Sequence, residues 1–252
     1  MIRFENVSKS FGPKRVLDGF TLEVHEGDTV ALLGYSGTGK SVALKHIVGL
    51  LVPDKGTVVV DDLDVPTLPR TRLYELRARI GYVFQSAALF DSLTVAENVG
   101  MGLRQRSEMT PAQIEWRVQE ALDLVDLPEA ADLMPSDLSG GMRKRVGVAR
   151  AIALHPKYLL YDEPTTGLDP VTSAVIDDLM LRMQRHLGAT SVVITHDLRT
   201  AWTVSNRIAM LYEGAIRQVG TPEEIKATSD PVVRQFIEGR ANPVEPSAPA
   251  PR

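Results

Sequence analysis

One eight-residue segment, Gly34-Tyr35-Ser36-Gly37-Thr38-Gly39-Lys40-Ser41, constrains the fold of this chain more than any other, because it fits the pattern G-x-x-x-x-G-K-[ST] in a specific context. It follows an unbroken apolar run at 29–33 and opens onto helix-forming residues at 42–48. A buried strand, a glycine-rich loop and a helix in that order make one unit of a parallel α/β sheet. Glycines let successive backbone N–H groups turn inward on one anion, and the helix N-terminus adds the positive end of its dipole. Such a loop suits a triphosphate. Lys40 would bridge the β- and γ-phosphates, and the Ser41 hydroxyl would ligate Mg2+. An ordinary glycine-rich turn explains the glycines but not the strand before them or the helix after them.

A second apolar run, 158–161, ends in the pair Asp162-Glu163. Ligands of open parallel sheets sit at the carboxyl edge of the strands. Asp162 is placed to hold Mg2+ through water, and Glu163 to polarise an attacking water as general base. Two solvated acids capping the next helix are the plainer alternative, weakened by the loop described above. Further strands are expected at 2–7, 20–24, 57–60, 80–84 and 191–195. A closing hairpin, 207–212 with 215–219, turns at Glu213-Gly214. A helix-rich stretch spans 95–154. Met109-Thr110-Pro111 opens one of its helices, another helix follows Pro170, and Thr221 caps a later one. Strand–helix alternation predicts an α/β fold: a parallel-sheet core, an antiparallel N-terminal part and a helical subdomain at roughly 86–155.

The 252 residues suffice for one such domain, expected over 1–240. The Pro/Ala-rich stretch 241–252 is expected to be a disordered tail. With no cysteine there is neither a disulfide framework nor thiol chemistry. A net charge of −4 argues against nucleic acid as a partner. No apolar run reaches the ~20 residues of a membrane-spanning helix, and residues 1–12 show no apolar core of a secretory leader.

Leu138-Ser139-Gly140-Gly141-Met142 opens a helical run through 154. Ser139 and two glycines at a helix N-terminus make a second anion cradle. Here the chain resembles the ABC ATPase (nucleotide-binding domain) family, whose LSGGQ-type signature it matches with Met in place of Gln. The resemblance covers about 2–219, and it implies a P-loop NTPase fold and hydrolysis of ATP with Mg2+. It also implies a homodimer that sandwiches two ATP, with Ser139, Gly140 and Gly141 of one subunit capping the γ-phosphate held by the other. Phe11 resembles the aromatic that stacks on adenine, although an edge or core aromatic explains it equally. Gln85 resembles the glutamine that touches Mg2+ and the lytic water. His196 resembles the histidine that reads the γ-phosphate, and Gly167-Leu168-Asp169 the loop that meets the opposite subunit. Tyr35 departs from the common Pro, and Val42 from a hydroxyl residue that touches the α-phosphate.

Two segments are similar to the Mla/Mce group of lipid-transport ATPases: residues 84–99, above all Gln85-Ser86-Ala87-Ala88-Leu89-Phe90-Asp91, and residues 230–239 together with Met142. That resemblance implies a peripheral subunit on the cytoplasmic face of the inner membrane. It would drive phospholipid transport through a separate permease docked against 87–93, with Leu89 and Phe90 as anchors. A substrate-binding Mce protein and a small STAS-domain protein are the further partners it implies. An importer ATPase for another substrate, or a soluble ABC ATPase acting on a macromolecule, are the alternatives.

Overall fold

In the computed structural model, residues 1–105 and 109–240 are described; the tail expected at 241–252 lies outside them. The chain begins with β1 (Ile2–Phe11), β2 (Lys14–Val24) and β3 (Thr29–Leu33), followed by α1 (Lys40–Ile47), β4 (Lys55–Val60) and β5 (Leu63–Asp64). Next come α2 (Arg70–Arg77), β6 (Ile80–Val83), α3 (Val95–Arg104), α4 (Pro111–Leu124), α5 (Gly140–Ile152) and β7 (Tyr158–Asp162). The last elements are α6 (Pro170–Leu187), β8 (Thr190–Ile194), α7 (Leu198–Val204), β9 (Arg207–Tyr212), β10 (Ala215–Gly220), α8 (Pro222–Lys226) and α9 (Pro231–Ile237).

Two sheets organise these elements. A four-stranded antiparallel sheet runs β2-β1-β4-β5, and a six-stranded one runs β10-β9-β3-β8-β7-β6. In the larger sheet β9, β3, β8, β7 and β6 are parallel, and only β10 is antiparallel. Every residue of β3, β7 and β8 is buried, which is why these strands read as continuous apolar runs. Their period of two sends alternate side chains to opposite faces. Tyr158 and Leu160 join Phe4, Phe20, Leu44 and Ile47 in a core between the two sheets and α1. Leu159 and Tyr161 join Val99, Val118, Val146 and Ile176 in a core under α3, α4, α5 and α6. A smaller cluster packs Ala31 and Leu33 against Ile225 and Val233 of the C-terminal helices.

Helix starts follow local chemistry. Thr94, Thr110 and Thr221 each close a capping box with the residue three positions on. Asp169 accepts from the Val171 and Thr172 amides at the start of α6. Three helices go beyond the sequence expectation. α2 buries only Leu76 and so carries no apolar stripe. α7 and α9 each span seven residues, too short for a periodic pattern. β1 and β2 also extend past the expected 2–7 and 20–24, as a hairpin whose tip pairs Phe11 with Lys14. No helix among the described residues is long and apolar enough to cross a membrane.

Asp61 ties the two sheets together. Its carboxylate accepts from the Tyr158 hydroxyl and the Arg79 guanidinium, and from Lys157 Nζ at 3.0 Å. Burial disfavours the charged form, but the bonds from Tyr158 and Lys157 outweigh it and hold the pKa down at about 2, from 3.8. A depressed carboxylate contributes stability above its unfolded pKa and loses it as pH falls through the folded one. Asp61→Asn keeps the left-handed backbone (φ 48°) accessible while removing the charge and one acceptor oxygen. It is expected to cost about 1 kcal/mol at pH 7 after solvent screening. Urea titrations should show the difference from wild type closing between about pH 4 and pH 2.

Candidate nucleotide site

The glycine-rich loop leaves β3 at the carboxyl edge of the large sheet, and its close approaches explain its composition. A Cβ on Gly34 would lie 2.6 Å from the Leu211 carbonyl oxygen of β9. A Cβ on Gly39, at φ 106°, would lie 2.7 Å from Val16 Cγ1 of β2. Either contact would push the loop off its support. Thr38 closes the turn by donating from Oγ1 to the Tyr35 carbonyl at 2.8 Å.

Lys40 begins α1 and is almost fully buried. Its Nζ donates to the carbonyls of Gly34 (2.8 Å) and Tyr35 (3.0 Å), and lies 3.9 Å from Glu163 Oε1. Burial pushes the amine pKa down, and the carboxylates of Glu163 and Asp162 push back. Ser41 Oγ donates to Asp162 Oδ1 at 2.9 Å, and Tyr82 Oη donates to Asp162 Oδ2 at 3.0 Å. Burial first, and Asp162 second, drive the Tyr82 phenol upward, so it remains a protonated donor.

Glu163 follows β7 with a left-handed backbone (φ 51°), an uncommon state for a non-glycine residue that clusters at functional sites. Its amide donates to the Ile194 carbonyl at 2.9 Å, which fixes the turn. Its Oε2 accepts from Thr166 Oγ1 at 2.9 Å and meets His196 Nδ1 at 2.8 Å. The imidazole is thereby oriented by the carboxylate while more than half exposed.

Lys40, Ser41, Glu163 and His196 open onto a cleft of about 620 Å3. Ser36, Gly37, Gly39, Lys40, Ser41 and Val42 form one part of its lining, and Gln85, Glu163, Thr166 and His196 another. Phe11 completes it with Lys14 and Val16; the ring is half exposed at the hairpin tip, with Lys9 Nζ 5.8 Å from its centroid. An exposed aromatic face beside a phosphate loop is what a stacked base requires. Gly34, Tyr35 and Thr38 belong to the loop but do not line this cleft. The Tyr35 ring packs edge-on against Phe236 of α9, centroids 5.0 Å apart.

Ser139, Gly140 and Gly141 lie elsewhere. Ser139 caps α5 by accepting from the Met142 amide at 3.2 Å. The three line a second hollow together with Gly167, Asp169, Val171 and Thr172. The two anion cradles of one chain therefore open separately.

Lys14, Thr166 and Tyr82 were not among the residues expected from the sequence. Thr166 had a signal, a hydroxyl three residues after a strand-end acid. The other two had none, because their positions come from tertiary contacts. For a divalent cation, Ser41 and Asp162 present adjacent hard oxygens with Gln85 in the same cleft, a donor set that suits Mg2+. Among the described residues no group of three or more His, Cys, Asp or Glu could hold a metal ion. Phosphate and water oxygens would complete the coordination, as Mg2+ prefers.

These features define a P-loop ATPase cassette, and the chain belongs to the ABC transporter family, whose pattern matches residues 17–166. It is an ATPase domain, in which ATP is bound and hydrolysed. It is 40% identical over 240 residues to the probable ribonucleotide transport ATP-binding protein mkl of Mycobacterium leprae (strain TN), covering 95% of this chain and 69% of that one. It is 37% identical over 242 residues to the intermembrane phospholipid transport system ATP-binding protein MlaF of Escherichia coli (strain K12), covering 96% and 90%. The dimeric post-hydrolysis structure of the ATP-binding cassette MJ0796 bound to ADP and Pi superposes with a TM-score of 0.81 at 34% identity, covering 88% of this chain and 99% of that one.

Proposed function

We propose that the chain powers lipid transport, as the ATPase subunit of a complex whose separate permease crosses the membrane. The carrying observation for the ATPase half is the convergence of Lys40, Ser41, Glu163 and His196 on one cleft, with Asp162 bonded to Ser41 behind it, while Ser139 opens into another. One chain thus binds the triphosphate and a second supplies Ser139, so two subunits enclose two ATP. Phe11 stacks on adenine. The loop amides and Lys40 hold the β- and γ-phosphates. Ser41, Asp162 and Gln85 would hold Mg2+, which would supply charge neutralisation on the phosphates. Glu163 takes the proton of a water as its oxygen bonds to the γ-phosphorus and the bond to the ADP oxygen breaks. His196, oriented by Glu163 Oε2, faces the departing phosphate. Loss of the γ-phosphate bridge lets the pair reopen, and that cycle drives the permease.

The cargo assignment rests on similarity to MlaF over nearly the whole of both chains. In that reading the subunit sits on the cytoplasmic face of the inner membrane. Permease docking falls on 87–93, and an Mce substrate-binding protein and a STAS-domain protein complete the assembly. The mkl relative, named for ribonucleotide transport, favours a second reading with a nucleotide cargo. Mass spectrometry of the untagged complex purified from its membrane separates the two. Phospholipid enriched over the bulk membrane composition is expected; bound ribonucleotide without lipid enrichment overturns the lipid reading.

A further inference from the structure

Two cations of helix α5, Lys144 and Arg150, donate to backbone carbonyls of the 85–88 segment. Lys144, almost fully buried, donates Nζ to the Gln85 carbonyl and reaches the Glu163 carbonyl at 3.4 Å. Arg150 donates Nη2 to the Ala87 carbonyl and Nη1 to the Ala88 carbonyl, both at 2.6 Å, and its guanidinium lies 5.9 Å from the centre of the Phe84 ring. Between them, Gly147 lets Ala87 come close: a Cβ there would stand 3.2 Å from the Ala87 Cβ. Positions 144, 147 and 150 recur every three residues, so all three face one side of the helix.

The segment they hold needs holding. Ala87 (φ 61°) and Ala88 (φ 47°) are consecutive left-handed residues, an uphill state for alanine that persists only where the surroundings over-determine it. The fork of Arg150 suits two neighbouring carbonyls, while the ammonium of Lys144 can bridge carbonyls from two different segments. Each is therefore matched to its task.

We propose that Lys144 is a positioning residue that sets the distance between Gln85 and Glu163, and that Arg150 fixes 87–88 to the same helix. Ser139 caps α5, so a shift of this helix on dimer closure carries the glutamine, the base carboxylate and the 85–88 backbone together. This rests on the catalytic roles assigned to Glu163 and Gln85. It gives the signature helix a direct mechanical link to the chemistry in its own subunit, beyond its contact with the partner's nucleotide.

The test uses the full chain with steady-state ATPase kinetics, plus amide hydrogen exchange across 84–90. Lys144→Met is expected to lower kcat about 10–100-fold, with KM for ATP changing less than about three-fold. Lys144→Arg should return kcat to within about three-fold of wild type. Exchange at 85–88 should rise about ten-fold or more in Lys144→Met and in Arg150→Met, with α5 and β7 unchanged. Wild-type kcat and unchanged exchange in Lys144→Met, beside an inactive Glu163→Gln control, overturns the inference alone. So does a parallel loss of protection through α5 and β7 without rescue by Arg, which is the signature of packing. If Glu163→Gln itself turns over normally, the catalytic reading is what falls, and the exchange arm still decides the tether.

Discussion

Glu163→Gln is expected to bind ATP normally and to lose about 10²–10⁴-fold in kcat. The substitution is nearly isosteric. The amide oxygen can still accept from Thr166 Oγ1 and the side chain can still meet His196, so the site keeps its shape. What disappears is the capacity to take a proton from water. It also removes a negative charge that lies 3.9 Å from Lys40 and would face the γ-phosphate. Both changes favour a closed pair that holds ATP without consuming it. Size-exclusion chromatography with ATP should therefore show a dimer, and with ADP a monomer. Adding Ser139→Arg should abolish the ATP dimer, because a bulky side chain would fill the second cradle. Normal turnover by Glu163→Gln would remove Glu163 as the base, and a monomer hydrolysing ATP at full rate would remove the two-chain site.

The candidate site was legible in the sequence where its residues are placed by local geometry. The loop at 34–41 has to follow a strand and open a helix, and β3 and α1 are where that demand puts them. Asp162 and Glu163 have to end a buried strand, and β7 runs Tyr-Leu-Leu-Tyr, all buried, before it reaches Asp162. Ser139 reads as a cap because it is one. In each case, a few neighbouring residues carry the whole signal.

What escaped depends on contacts between distant segments. Lys144 sits in the run Arg143-Lys144-Arg145, which reads as a solvated face; only the fold brings Gln85 and Glu163 beneath it. Tyr35, in the middle of the phosphate loop, turns its ring onto Phe236, an arrangement that exists only once α9 has docked. The hairpin tip bearing Phe11 lacks a one-sided apolar pattern, since its last residues are exposed or half-buried, so the strands looked shorter than they are. α2 went unread for the same reason: a helix that buries one side chain leaves no stripe to find.

Lys40→Ala is the substitution with the largest expected effect on binding, about 100-fold or more in Kd for ATP. The ammonium rests on the Gly34 and Tyr35 carbonyls in the structure, in a site that burial makes unfavourable for charge. Those bonds are neutral–charged contacts that a triphosphate can replace with charged–charged ones, so ligand binding relieves a desolvated cation while satisfying an anion. Removing the side chain loses both. The fold should survive, because removing the side chain also removes the cost of burying its charge. The stability cost is expected to be about 1–3 kcal/mol. Calorimetric titration with ATP, read beside a thermal melt of the same sample, separates the outcomes. A large affinity loss on a folded protein is the expected result, whereas unchanged affinity would mean the loop binds its ligand through backbone amides alone and Lys40 serves only to brace the turn.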